Sequence, residues 1–141
     1  MTPPSEPLDP GFRVQFGASS LAAALARPET VGALLDNALN GIAHCRMVFD
    51  GDQAVDFEYL QVNTAFERQS GLRNVVGRRI TELIPGIRTS DPELFEIYGR
   101  VARGGPAERF ERFIEALGDW YAVSVFSPSP GAFVAAFDVI T

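Results

Sequence analysis

The sequence predicts an α+β domain in which a strand hairpin, a helical middle and a second run of strands follow one another, and three observations support this. Residues 55–71 change hydrophobic period in mid-course. Val55, Phe57 and Tyr59 alternate with acids as a half-buried strand does, and then Asn63 or Thr64 opens a short helix with Glu67 three residues after Thr64 and Gly71 at its end. Asp91-Pro92 begins a longer helix, with Asp as N-cap, Pro at the first helical position and Leu94, Ile97, Tyr98 and Val101 on one face. Residues 120–127 and 132–140 are rich in aromatic and β-branched side chains and meet at Ser127-Pro-Ser-Pro-Gly131, as two strands joined by a turn.

Residues 1–28 read as an N-terminal tail, rich in proline and polar residues, with Phe12, Val14 and Phe16 alternating and a short helical turn at residues 20–26 ended by Pro28. Residues 29–40 form a flanking helix, because Val31, Leu34, Leu35, Ala38 and Leu39 recur at helical spacing and Asn40-Gly41 supplies a stop. The domain proper is 41–141. Residues 42–50 and 55–62 are a hairpin turning at Asp50-Gly51, and Thr81 is expected to cap one helical turn before Pro85. Residues 107–117 are the contested segment. Phe110, Phe113, Ile114 and Leu117 have helical spacing, yet Gly104-Gly-Pro106 before them and Leu117-Gly-Asp119 after them are hairpin boundaries, so the segment is assigned to a strand.

At 141 residues the chain has the length of one domain, able to bury roughly two thirds of its unfolded surface without a staple. A net charge of −6 argues against a nucleic-acid partner, which would need clustered Lys and Arg. The single cysteine, Cys45, forbids an internal disulfide, and the opening Met-Thr-Pro-Pro-Ser-Glu-Pro lacks the basic and apolar segments of a secretory signal, so a cytoplasmic location is expected. Residues 120–137 carry no charge and are long enough to span a bilayer as a helix. The prolines at 128 and 130 would break that helix, so no membrane segment is expected.

The motifs Val62-Asn-Thr-Ala-Phe-Glu67, Val76-Gly-Arg78, Glu82-Leu-Ile-Pro85, Trp120-Tyr-Ala-Val-Ser-Val-Phe-Ser-Pro128, Gly131-Ala-Phe133 and Phe137-Asp-Val-Ile-Thr141 stand in the order found in PAS domains, and the chain resembles that family over about residues 42–141. The resemblance implies a five-stranded antiparallel sheet with the helices on one face and an N-terminal flanking helix. It implies a sensory module, not an enzyme, that binds a small molecule or partner and relays a conformational signal to a C-terminal effector in cis, a histidine kinase or a GGDEF diguanylate cyclase. Family members continue beyond the last strand, so the chain reads as a sensor piece. One departure is that Val139 occupies the place of the family's usual aspartate, with Asp138 one residue earlier.

Within that frame, Ala122, Ser124 and Phe126 on one strand and Phe133, Ala135 and Phe137 on the next are expected to face the helices, opposite Phe66 and Tyr98. Small residues beside aromatics leave volume, which Ser124, Tyr98 and Asn63 would use to orient an unidentified ligand by hydrogen bonds. The alternative is a filled core in which Asn63 only caps a helix, making the domain a ligand-free dimerisation scaffold. The apolar face of Val31, Leu34, Leu35 and Leu39 requires cover, and in this family such a helix packs on the outer sheet face or on a second subunit, so a homodimer is expected.

No cofactor is expected. Haem-binding members place a histidine on the long helix and residues 91–103 contain none; in the flavin-binding branch the photoreactive cysteine falls where Ile80 stands and a glutamine where Phe137 stands, which argues against a covalent flavin. His44 and Cys45 are adjacent on a strand and point to opposite faces, so they form no dyad, and four zinc ligands are not available. Arg73, Arg78, Arg79 and Arg88 read as solvated loop charges, not as an anion site.

Overall fold

Alternation in residues 41–62 builds the first part of the sheet. The computed structural model describes residues 26–140, in which Gly41–Asp50 (β1) and Gln53–Val62 (β2) form the expected antiparallel hairpin. The expectations on Phe12, Val14 and Phe16, on the tail up to residue 25 and on Thr141 lie outside the described residues. The chain divides after Leu34 into two compact units. The flanking helix α1 is Pro28–Asn37, with Glu29 in its first turn beside the positive end of the helix dipole, and it ends at Asn37, so that Ala38 and Leu39, expected on its apolar face, lie beyond it.

Four helices separate the hairpin from the later strands: Thr64–Ser70 (α2), Ile80–Leu83 (α3), Ile87–Ser90 (α4) and Pro92–Ala102 (α5). α2 is capped by Asn63 and closed by Gly71 in the left-handed region (φ 80°), where a side chain would be strained. Two expected caps differ. α3 begins after Arg79, and the Thr81 hydroxyl instead donates to Asp56 Oδ2 (2.5 Å) from within the helix. Asp91 does sit at the N-cap of α5, yet its carboxylate bonds no helix N–H; it accepts from Ser90 Oγ (3.0 Å) and lies 3.9 Å from Arg112 Nε.

Glu108–Ile114 (β3), Asp119–Phe126 (β4) and Ala132–Ile140 (β5) complete a five-stranded antiparallel sheet in the order β2-β1-β5-β4-β3. The contested segment is therefore a strand, laddered from Glu108 opposite Val125 to Ile114 opposite Asp119. Pairing splits the apolar residues that a helix would have gathered. Phe110 and Ile114 join the core, while Phe113 turns outward against Trp120, with ring centroids 5.8 Å apart. Cross-strand pairing and packing outweigh the helical spacing.

The core lies between the sheet and α2–α5. Phe57 is its hub, in ring contact with Tyr59, Phe95, Tyr98 and Phe133 at 5.3–5.7 Å, and Tyr98 stacks on Phe133 at 4.4 Å. Burial of each such ring stabilises the fold by about 1.5–3 kcal/mol. The expected inward face of Ala122, Ser124 and Phe126 is not the one that β4 buries. Tyr121, Val123 and Val125 are the buried side chains of β4, and Phe126 is exposed. Val123 lies opposite Phe137 and Val125 opposite Ala135, and directly opposed residues share a face, so a shift of one residue turns Ala122, Ser124 and Phe126 outward. Burying Tyr and two Val instead of Ala, Ser and Phe also keeps the hydroxyl of Ser124 out of the core. Among the described residues, no helix is long and apolar enough to cross a membrane.

Candidate functional site

Between the sheet and the helices lies a cavity of about 60 Å³, lined by Phe57 and Tyr59 of β2, Phe66 and Ser70 of α2, Ile80 of α3, Leu94 and Tyr98 of α5, Val123 of β4 and Phe137 of β5, among others. Sites that enclose drug-sized ligands measure roughly 300–1,000 Å³. The space left here takes only a few water-sized atoms. Of the expected pocket residues, Phe66, Tyr98 and Phe137 line it; Ala135 is buried on the same sheet face without lining it; and Ala122, Ser124 and Phe126 are on the other face. Ala122 and Ser124 instead border an open outer groove of about 510 Å³ with Arg109, Glu111 and Asp138.

Asn63 is buried, and its amide is fully engaged away from any ligand. Oδ1 accepts from Ile42 N (2.8 Å) and Phe66 N (3.1 Å), while Nδ2 donates to Leu35 O (2.8 Å) and Asn40 O (3.0 Å). One side chain thus caps α2 and fastens the chain leading into β1 to the end of β2. Its function is to hold this corner.

One residue that periodicity does not single out joins the cavity to the end of β5. Gln69, next to the cavity-lining Ser70, donates from Nε2 to Asp138 Oδ1 (2.9 Å) and accepts from Val139 N at Oε1 (2.9 Å), and its backbone carbonyl accepts from Tyr121 Oη (2.9 Å). α2 is thereby bound to the last residues of β5 and to β4. A polar residue in a short helix carries no periodic signal, and its partners lie about seventy residues on.

Tyr59 and Tyr98 are buried, and desolvation of the phenolate pushes both well above the ordinary tyrosine range, with the nearby Cys45 adding to the effect. Cys45 is itself buried in the core, and desolvation drives its thiol pKa upward. His44 borders a different pocket on the outer face with Gln61 and Val134, as alternation required. Among the described residues, no three metal-ligating side chains converge.

The two positions at which the flavin-binding branch would place its cysteine and glutamine both line this cavity. Ile80 presents no thiol and Phe137 no amide donor. Of the mid-chain arginines, Arg78 pairs with Glu82 (3.1 Å) and Arg73 with Glu67 (3.8 Å), while Arg88 borders an open cleft of about 360 Å³ with Asp52, Glu96, Arg100 and Arg103, where acids and bases mix.

No protein-family model matches the chain, and no curated protein matches it. Solved structures do. A domain of an HTR-like protein from Haloarcula marismortui aligns at 18% identity with a TM-score of 0.53, covering 74% of this chain and 100% of that one. An RNA-binding light-oxygen-voltage receptor aligns at 19% identity and TM-score 0.59, covering 91% of this chain and 36% of that one. A domain of a sensory box sensor histidine kinase/response regulator from Geobacter sulfurreducens aligns at 22% identity and TM-score 0.50, covering 78% and 91% respectively. Likeness at such identities establishes a shared fold.

Proposed function

We propose that this chain, which has the PAS fold, is a sensory module of a signalling protein that passes a packing change in its core to a C-terminal output domain. The observation that carries this reading is the Gln69 connection. Phe66 and Ser70 of α2 line the cavity, and Gln69 between them holds Asp138 and Val139 at the end of β5. A small apolar molecule entering the cavity pushes on α2 and Phe137 together. Its binding favours whichever arrangement of α2 and β5 gives it more room, and it shifts the population by its differential affinity for the two.

The output domain is proposed by analogy with signalling proteins such as the sensor histidine kinase named above; a GGDEF diguanylate cyclase is the alternative. A second reading, a closed scaffold that senses nothing, is favoured by the small interior volume. The two are separated by native mass and absorption spectra of the purified protein, a thermal-shift panel of small metabolites, and hydrogen exchange at residues 137–140. For a sensor, a bound molecule raises Tm and alters exchange at 137–140, and Gln69→Leu keeps the Tm shift while abolishing the change in exchange. A clean apo mass with no thermal shift across the panel overturns the sensory reading in favour of the scaffold.

A further inference from the structure

We propose that the outer edge of β3 is a self-association site, at which two copies of the chain pair their β3 strands antiparallel about Phe110 and join their sheets into one. The sheet order leaves two edges, β2 and β3. The β2 edge is partly covered by its own chain: Tyr59 N donates to Arg78 O (3.1 Å), Gly77 N donates to Tyr59 O (2.8 Å), and Glu58 bridges to Arg79. Among the described residues, the backbone of residues 108–113 bonds only to β4. Its other side therefore offers a row of free donors and acceptors to another strand.

Charges on an edge strand usually guard it against pairing. Those of β3, Glu108-Arg-Phe-Glu-Arg-Phe-Ile114, do so in the registers centred on its charged residues. Two copies related by a two-fold axis perpendicular to a shared sheet must oppose residues of the same face, so the axis passes through a residue. With the axis at Phe110, Arg109 faces the partner's Glu111 and Glu108 faces the partner's Arg112, each contact occurring twice by symmetry. With the axis at Glu111, that acid faces its own copy; at Arg109 or Arg112, arginine faces arginine; at Phe113, Glu111 faces the partner's Glu115. The charge pattern thus selects one register and repels its neighbours.

A second observation bears on the same residues. Glu108 and Arg112 already have partners within the chain, Arg100 (2.6 and 2.9 Å) and Glu93 (2.8 Å). Arg109 and Glu111 are exposed on the outer face, and neither makes an ion pair or side-chain hydrogen bond among the described residues. These two opposite charges two residues apart are what the proposed register consumes. The contact differs from the α1 face and holds whether or not the core binds a ligand.

The test is sedimentation velocity of the full chain over a range of concentrations, at low and high salt, for the wild type, Arg109→Glu, Glu111→Arg and the double charge swap, with thermal melts to verify folding. The wild type is expected to dimerise reversibly and more weakly at high salt. Each single reversal, which places like charges opposite each other twice, raises the dissociation constant about tenfold or more. The double swap restores dimerisation. The proposal is overturned if the wild type stays monomeric throughout, if the single variants dimerise as well as the wild type, or if the double swap remains as weak as the singles.

Discussion

Replacing Asn63 with alanine removes four hydrogen bonds at one point, the corner where β2 ends, α2 begins and the lead into β1 passes. The four do not weigh equally. Phe66 N keeps a backbone acceptor in Asn63 O (3.1 Å), and Leu35 O still accepts from Ala38 N (3.3 Å), so these groups retain partners. Ile42 N loses the side-chain acceptor at 2.8 Å and Asn40 O loses a donor at 3.0 Å, both at a buried side chain. Loss of the cap contributes about 1 kcal/mol, and the weakened backbone groups add roughly 1–2 kcal/mol, for about 2–3 kcal/mol in all. In a domain of this length that corresponds to a fall in Tm of roughly 8–12 °C. Urea denaturation monitored by circular dichroism measures it, with an unchanged m-value showing that the same surface unfolds. Asn63→Ser, which restores only the cap, should recover about 1 kcal/mol. A loss below about 0.5 kcal/mol for the alanine variant would refute the view of Asn63 as the fastening of this corner.

Three further outcomes follow from the packing. Ala135→Leu, on the buried face of β5, overpacks the core and costs about 1–3 kcal/mol, whereas Ser124→Leu, on the outer face of β4, stays within about 0.5 kcal/mol; equal costs in chemical denaturation would place both residues on one face. Gly41→Ala brings a Cβ to 2.7 Å from the Phe137 ring, which must move, and is expected to cost about 1–3 kcal/mol; a variant as stable as the wild type would deny that close approach. Stability should also fall at alkaline pH. Cys45, Tyr59 and Tyr98 have folded pKa values raised above the ordinary 9.0 and 10.0, so the unfolded chain releases these protons first. Their contribution is complete below pH 9 and is lost as pH rises past the unfolded values, with a slope of up to about 1.4 kcal/mol per pH unit for each group. Urea midpoints at pH 7, 9 and 10.5 test this, and a flat profile contradicts the burial of these groups.

Local chemistry made some of the site readable in the sequence. Asn63 and Gly71 bound a helix because one offers an acceptor to exposed amides and the other tolerates the left-handed region, and Cys45 faces the core because alternation with Ala43 and Met47 leaves it no other face. β4 shows where such reasoning stops. Every residue of its uncharged run Trp120–Phe126 tolerates either face, so the pattern carried no face of its own. The choice came from β5, whose Phe137 stands opposite Val123.

The sequence by itself determined the kinds and order of the elements, because period, caps and turn residues act over a few neighbours. The tertiary structure alone decided that residues 108–114 pair as an edge strand against their helical spacing, which face of β4 enters the core, how small the interior became, and that Gln69 reaches Asp138 and Val139. Those outcomes depend on contacts between segments far apart in the chain, where cross-strand pairing and burial of apolar area exceed the differences in local propensity.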